Sequence, residues 1–127
     1  MVIVYTYVVG DILHKGHLQY LRNAKALGDK LCVGILTDKA VTEKKPKPAI
    51  GFSERFDIIN ALGCVDLAVA QDTYSPKHNV EIIKPDILIE SDSHKEPLNN
   101  PFGRTIVLPY FPDQSSTKIK EKIRGKS

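Results

Sequence analysis

Eight consecutive residues, Gly10-Asp11-Ile12-Leu13-His14-Lys15-Gly16-His17, carry the densest chemistry in the chain. Two imidazoles flanking a glycine can converge on one point, and the glycine lets backbone come close to a phosphate. If a helix starts there, its N-terminus adds a positive end that favours anions. The combination describes a cradle for a triphosphate. Taken singly, either histidine would pass for an ordinary surface or core residue, so the arrangement carries the argument.

Such a cradle has to be held by regular elements, and the flanking sequence supplies them. Val2 to Val9 is almost continuously apolar and rich in β-branched and aromatic residues. That composition predicts a parallel strand covered on both faces, with the histidine segment at its C-terminal end. From His17 to Leu27 apolar residues recur at helical spacing, and Gly28 is expected to stop the helix. Leu31 to Leu36 reads as a second strand, with Thr37-Asp38 able to cap a short helix. Lys44 to Pro48 forms a basic loop. Ser53 is the expected N-cap of a helix ending at Gly63, before a third strand over Val65 to Ala70. A helix near Asn79 to Lys84, strands Ile87 to Glu90 and Thr105 to Leu108, and a last helix from Ser115 complete the pattern. Alternating strands and helices predict a Rossmann-like α/β three-layer sandwich around a mostly parallel five-stranded sheet. Open sheets of this kind bind ligands beyond the carboxyl ends of their strands.

Composition narrows the function classes. A chain of 127 residues, 42% hydrophobic and 26% charged, fits one globular domain over 1–127. No apolar run approaches the roughly 20 residues of a membrane span, and no export signal is legible, so a cytoplasmic location is expected. Cys32 and Cys64 lie in apolar segments without a C-x-x-C spacing and read as buried reduced thiols. A net charge of +3, with lysines concentrated at 44–47 and in the tail, suits an anionic small molecule better than nucleic acid or a membrane.

His14-x-Gly16-His17 behind Asp11, between a strand and a helix, resembles the H-x-G-H signature of the cytidylyltransferase-like nucleotidyltransferases. Within that family the likeness is strongest to the bacterial glycerol-3-phosphate cytidylyltransferases. It extends through residues 24–29, Thr37-Asp38, Glu54-Arg55 and Val65-Asp66 to Ser115-Ser116-Thr117-Lys118-Ile119-Lys120. Unaided, the Ser-Ser-Thr segment reads as an ordinary N-cap; the resemblance makes it a contact to the triphosphate.

The resemblance implies transfer of CMP from CTP to a small phosphorylated alcohol or phosphonate, with release of pyrophosphate. It gives His14, His17 and Lys44 catalytic roles, and Lys47 a contact to pyrophosphate or substrate. It places Val9, Gly10, Asp11, Gly16, Asp38, Arg55, Asp92, Ser115, Ser116 and Thr117 around the nucleotide. Mg²⁺ is expected with the triphosphate, at Asp11 or Asp92. A homodimer is implied by the same likeness. Asp66 reads instead as part of a structural ion pair. The acceptor phosphate is already anionic, so catalysis reduces to positioning and charge neutralisation without a general base.

The chain departs from the family at three places. Val8-Val9-Gly10 replaces Gly-Thr-Phe before the aspartate, Tyr110 to Gln114 lacks the arginine that precedes the serine/threonine segment, and Ser91-Asp92-Ser93-His94 replaces Gly-Asp-Asp-Trp. Acceptor binding must therefore differ. An adenylyltransferase acting on a cofactor-precursor phosphate, a non-catalytic nucleotide-binding regulatory domain, and one module of a longer biosynthetic polypeptide are the competing readings.

Overall fold

The computed structural model describes residues 1–94 and 96–110. The expected last helix, with Ser115, Ser116 and Thr117, lies outside the described residues.

Five parallel strands pair in the order β3-β2-β1-β4-β5. In chain order they are β1 (Ile3–Val8), β2 (Lys30–Leu36), β3 (Leu67–Gln71), β4 (Ile87–Ser91) and β5 (Arg104–Leu108). Helices α1 (Lys15–Lys25), α2 (Asp38–Thr42), α3 (Phe52–Asn60) and α4 (Lys77–Ile83) fill the connections. The period-two alternation of β1 sorts its side chains between two apolar layers. Val4 and Val8 pack with Tyr20, Leu21 and Ile59 of α1 and α3, whereas Tyr5 and Tyr7 pack with Ala40, Val41 and Val80 of α2 and α4. The three-layer sandwich expected from the sequence is thus present.

The chain runs outward from β1 through β2 to β3, then crosses back to place β4 on the other side of β1. This reversal opens a crevice at the carboxyl ends of β1 and β4. The six-pair β1–β2 ladder contrasts with a β1–β4 register of only Val4↔Ile87 and Tyr5↔Leu88. Beyond it, side chains bridge the two strands: the buried Thr6 hydroxyl bonds to Ile89 O at 3.2 Å and to the Tyr20 hydroxyl at 2.8 Å.

Several local expectations need correction. Helix α3 starts at Phe52 with Gly51 as N-cap, and Ser53 lies inside its first turn. The reason is that Asp11 takes hydrogen bonds from the Ala49 and Ile50 N–H groups and fixes the chain entry before Ser53. Helix α1 ends at Lys25, ahead of Gly28. Gly28 is demanded by packing, since a Cβ there would sit 2.6 Å from Val4 Cγ2 and 2.9 Å from Val2 O. Strand β3 begins at Leu67 because the Asp66 carboxylate accepts from the Leu31 N–H and from Lys25 at the point where pairing would start. Cys32 is buried, but Cys64 is only half-buried. Among the described residues no helix is long and apolar enough to cross a membrane.

Gly34, in the middle of β2, admits the Tyr5 side chain across the sheet, and a Cβ at this position would lie 2.0 Å from Tyr5 Oη. That hydroxyl donates to Gln71 Oε1 at 2.6 Å and accepts from Asn79 Nδ2 at 3.0 Å. Gly34→Ala should therefore lower stability by about 1–3 kcal/mol, as overpacking in a filled core does, measured as a reduced urea midpoint.

Candidate active site

His14 is the N-cap of α1, in extended backbone, and His17 occupies the third position of the helix. The two residues form a reciprocal capping box built from imidazoles. The Gly16 N–H donates to His14 Nδ1 at 3.0 Å, and the His14 N–H donates to His17 Nδ1 at 3.3 Å. A ring nitrogen that accepts carries no proton, so in each ring the hydrogen sits on Nε2. The helix start thus fixes both tautomers, and each histidine presents Nε2–H as a donor. The rings lie 4.3 Å apart between centroids.

Burial, with the His14 ring adding to it, lowers the His17 pKa from 6.5 to about 4. The ring is neutral at pH 7, which suits a donor rather than a base.

A cavity of about 760 Å³ opens beside these histidines. Val9, Gly10, Asp11 and Ile12 form its floor, and Lys45, Pro46, Lys47 and Pro48 its overhanging wall. Gly10 stands at φ +71°, in the left-handed region, with Ile59 Cδ1 2.5 Å from where a Cβ would be; a side chain would meet both strain and a clash. Asp11 pins the basic loop over the floor through the Ala49 N–H at 3.1 Å and the Ile50 N–H at 2.8 Å.

A second cavity of about 720 Å³ lies on the other side of the crevice, lined by Tyr7, Lys44, Tyr74, Glu90 and His94 among others. A narrow cleft between the two shares Lys45 and Tyr110 with the first and Tyr7, Tyr74 and His94 with the second. Ser93 borders all three.

The structure brings Val9, Gly10, Asp11, His14, His17 and Lys47 to one cavity, with Gly16 supplying the N–H that sets the His14 tautomer. Lys44 lines the second cavity, with its ammonium 5.4 Å from the Tyr74 ring centroid; Lys45, 5.9 Å from the same ring, borders the histidine cavity as well as the cleft. Asp38 and Arg55 also depart from expectation, since neither lines any of these cavities. The Arg55 guanidinium is fully buried and donates to Val9 O, Leu36 O and Ile50 O at 2.6–2.9 Å, and to Asp38 Oδ1 at 2.7 Å. It supports the floor from beneath. Asp92 accepts from the Tyr110 N–H at 3.0 Å and likewise lines no cavity. Asp66 pairs with Lys25 at 2.7 Å and Lys30 at 3.8 Å, remote from the site.

Sequence reasoning weighed Lys45 only together with Lys44 and Lys47 as a basic loop, and missed Tyr110 and the group formed by Tyr7, Glu90 and His94. The buried Glu90 carboxylate accepts from the Tyr7 hydroxyl and from the Leu98 N–H at 2.8 Å, and His94 Nδ1 lies 3.1 Å from it. Burial opposes the charge on Glu90, but the hydrogen bonds from His94, Leu98 and Tyr7 together outweigh it and hold the carboxyl below its usual range. The Tyr7 phenol is pushed upward, first by burial and then by Glu90.

Among the described residues no group of three His, Cys, Asp or Glu side chains could hold a metal ion.

A family model for cytidylyltransferase-like proteins matches residues 10–122, and the chain belongs to that family of nucleotidyltransferases. The bifunctional protein HldE of Geotalea uraniireducens is 35% identical over 96% of this chain, and that of Campylobacter fetus 38% identical over 96%. The chain spans little more than a quarter of the length of these relatives, 27% and 28%. The lipopolysaccharide core biosynthesis protein of Thermoplasma volcanium superposes with a TM-score of 0.79 at 27% identity, over 85% of this chain and 96% of its own.

Two outcomes follow for stability. Between about pH 6.5 and 4 the unfolded His17 binds a proton that the folded ring refuses, so stability falls as the pH drops through this window. Urea midpoints at pH 7 and pH 5 should differ more in the wild type than in His17→Asn. Arg55→Met removes a buried cation from three carbonyls and a carboxylate, and should cost about 3 kcal/mol or more, read from the same titrations at pH 7.

Proposed function

We propose that the chain transfers the nucleotidyl group of a triphosphate, ATP in preference to CTP, to the phosphate of a sugar phosphate, with release of pyrophosphate. The observation that carries this is the pair of imidazoles whose Nε2 protons are fixed by the helix start, lining a cavity at the β1/β4 switch point. Membership of the family supports the reaction type. The likeness to HldE favours ATP as the nucleotide, and a neighbour that works in lipopolysaccharide core synthesis favours a sugar on the acceptor.

An acceptor phosphate oxygen attacks the α-phosphorus, and the bond from that phosphorus to the bridging oxygen breaks, so pyrophosphate leaves with the electron pair. The attacking oxygen is already ionised near neutral pH, and no proton has to be removed. His14 and His17 donate Nε2–H bonds to phosphate oxygens as charge builds between the two partners. Lys45 and Lys47, held over the cavity by the Asp11 latch, offset the charge of the departing pyrophosphate. Mg²⁺ bound to the triphosphate would supply further charge neutralisation; Asp11, which lines the cavity and keeps a lone pair on each oxygen beside its bonds to the loop, would be the carboxylate to hold it, with Asp92 the alternative.

Pyrophosphate release with Mg²⁺, measured separately for ATP and CTP against sugar phosphates and phosphorylated alcohols, tests the reading. Turnover with ATP and a sugar phosphate is expected, reduced on the order of a hundredfold or more in His17→Ala. Turnover with CTP alone would restore the cytidylyl reading. Nucleotide binding without turnover against any acceptor would overturn transfer in favour of a regulatory domain.

A further inference from the structure

The second cavity contains a polar device that the transfer chemistry does not use. Tyr7 Oη, Glu90 Oε1 and His94 Nδ1 form a triangle, with the Tyr7 hydroxyl donating to Glu90, 2.8 Å between Tyr7 and His94, and 3.1 Å between His94 and Glu90. An ionised carboxylate can only accept, and the tyrosine proton is directed at it. His94 Nδ1 must therefore carry a hydrogen, since otherwise two lone pairs would face each other across 3.1 Å. This is the opposite tautomer to that of His14 and His17. It leaves Nε2 as an acceptor in the neutral ring and a donor in the charged one, and a hydroxyl is the ligand group that satisfies either form.

The rest of the wall is of mixed charge. Lys44 lies beside the Tyr74 ring, which also has Lys45 at 5.9 Å, and the Glu43 carboxylate accepts from the Tyr74 N–H at 3.2 Å. Glu96 and Asn99 add further hydrogen-bonding groups to the described lining. The rings of Tyr7 and Tyr74 flank His94, at centroid distances of 5.3 and 5.9 Å, and give the cavity an aromatic side. A ligand with several hydroxyls finds acceptors in Glu43, Glu96 and Asn99 and ring faces in Tyr7 and Tyr74, and a phosphate on it finds the Lys44 and Lys45 ammoniums at the Tyr74 ring.

We infer that this cavity is the acceptor subsite for a polyhydroxylated phosphate, with His94 a specificity-determining contact to a hydroxyl and Tyr7 and Glu90 its positioning residues. The inference rests on the transfer reading above for the phosphate's destination, but the hydroxyl recognition is independent of it.

The test measures equilibrium binding of mannose 1-phosphate, ribose 5-phosphate and the hydroxyl-free methyl phosphate to the full chain by calorimetry, alongside pyrophosphate release with ATP and with CTP. The sugar phosphates should bind more tightly than methyl phosphate. His94→Ala, at a partly exposed position that leaves the core intact, should weaken them by about tenfold, the worth of one good hydrogen bond, with methyl phosphate and nucleotide affinities unchanged. Glu90→Gln should raise KM for the sugar phosphates while keeping kcat and nucleotide affinity, a split that a general loosening of the fold would not give. Equal binding of all three ligands, no binding of either sugar phosphate, or an equal loss for every ligand in His94→Ala would overturn the subsite. Hydroxyl-dependent binding without pyrophosphate release would sink the transfer reading and leave the subsite standing; release indifferent to hydroxyls would do the reverse.

Discussion

The buried guanidinium of Arg55 is the constraint on which the rest of the site depends. It sits beneath the carboxyl ends of β1 and β2, where carbonyls point out of the sheet with no strand left to receive them. By donating to Val9 O, Leu36 O and Ile50 O and pairing with Asp38, one side chain fixes the end of β1, the end of β2, the start of α2 and the entry to α3. A planar fork of five N–H donors suits this task as an ammonium does not. With the end of β1 held, Gly10 can take its left-handed turn and deliver Asp11 to the basic loop.

The histidine pair shows how local structure sets chemistry. In an ordinary capping box a hydroxyl and a carboxamide or carboxylate satisfy the free N–H groups of a helix start. Here imidazoles do so, and because the bond uses Nδ1, capping decides where the proton lies. Structural and chemical roles reside on the two nitrogens of the same ring. Across the crevice a carboxylate sets His94 the other way round. The two walls therefore differ in what they offer although both carry histidine.

How much of this was legible in the sequence follows from the range of the interactions. The H-x-G-H segment and its place between strand and helix were readable because tautomer, cap and glycine all lie within four residues. The alternation of β1 and the order of strands and helices were readable from periodicity. Arg55 was visible as a residue but not as a clamp, because three of its partners are backbone carbonyls that no side-chain pattern displays. Lys44 and Lys45 could not be told apart, since both ammoniums reach the Tyr74 ring and only the path of the folded loop makes Lys45 the one that also borders the histidine cavity. Tyr7, Glu90 and His94 were missed because a separation of 83 residues joins the first two, and a buried tyrosine in an apolar run looks like core. Ser53 failed as a cap because a contact from Asp11, far earlier in the chain, sets where α3 begins.

The place of β1 in the sheet has a consequence for the order of assembly. The first strand made is the central one, and its neighbour on the crevice side, β4, arrives only after three other strands and four helices have been laid down. Parallel pairings between distant segments form slowly, because the intervening chain must be closed first. Neither cavity has all its walls until that crossover and the β5 connection after it have docked, so a partly folded chain lacks a complete site with which to hold a ligand. Any molecule these cavities bind acts as a selective weight on the finished fold, drawing the population toward it by mass action without assisting the steps that lead there.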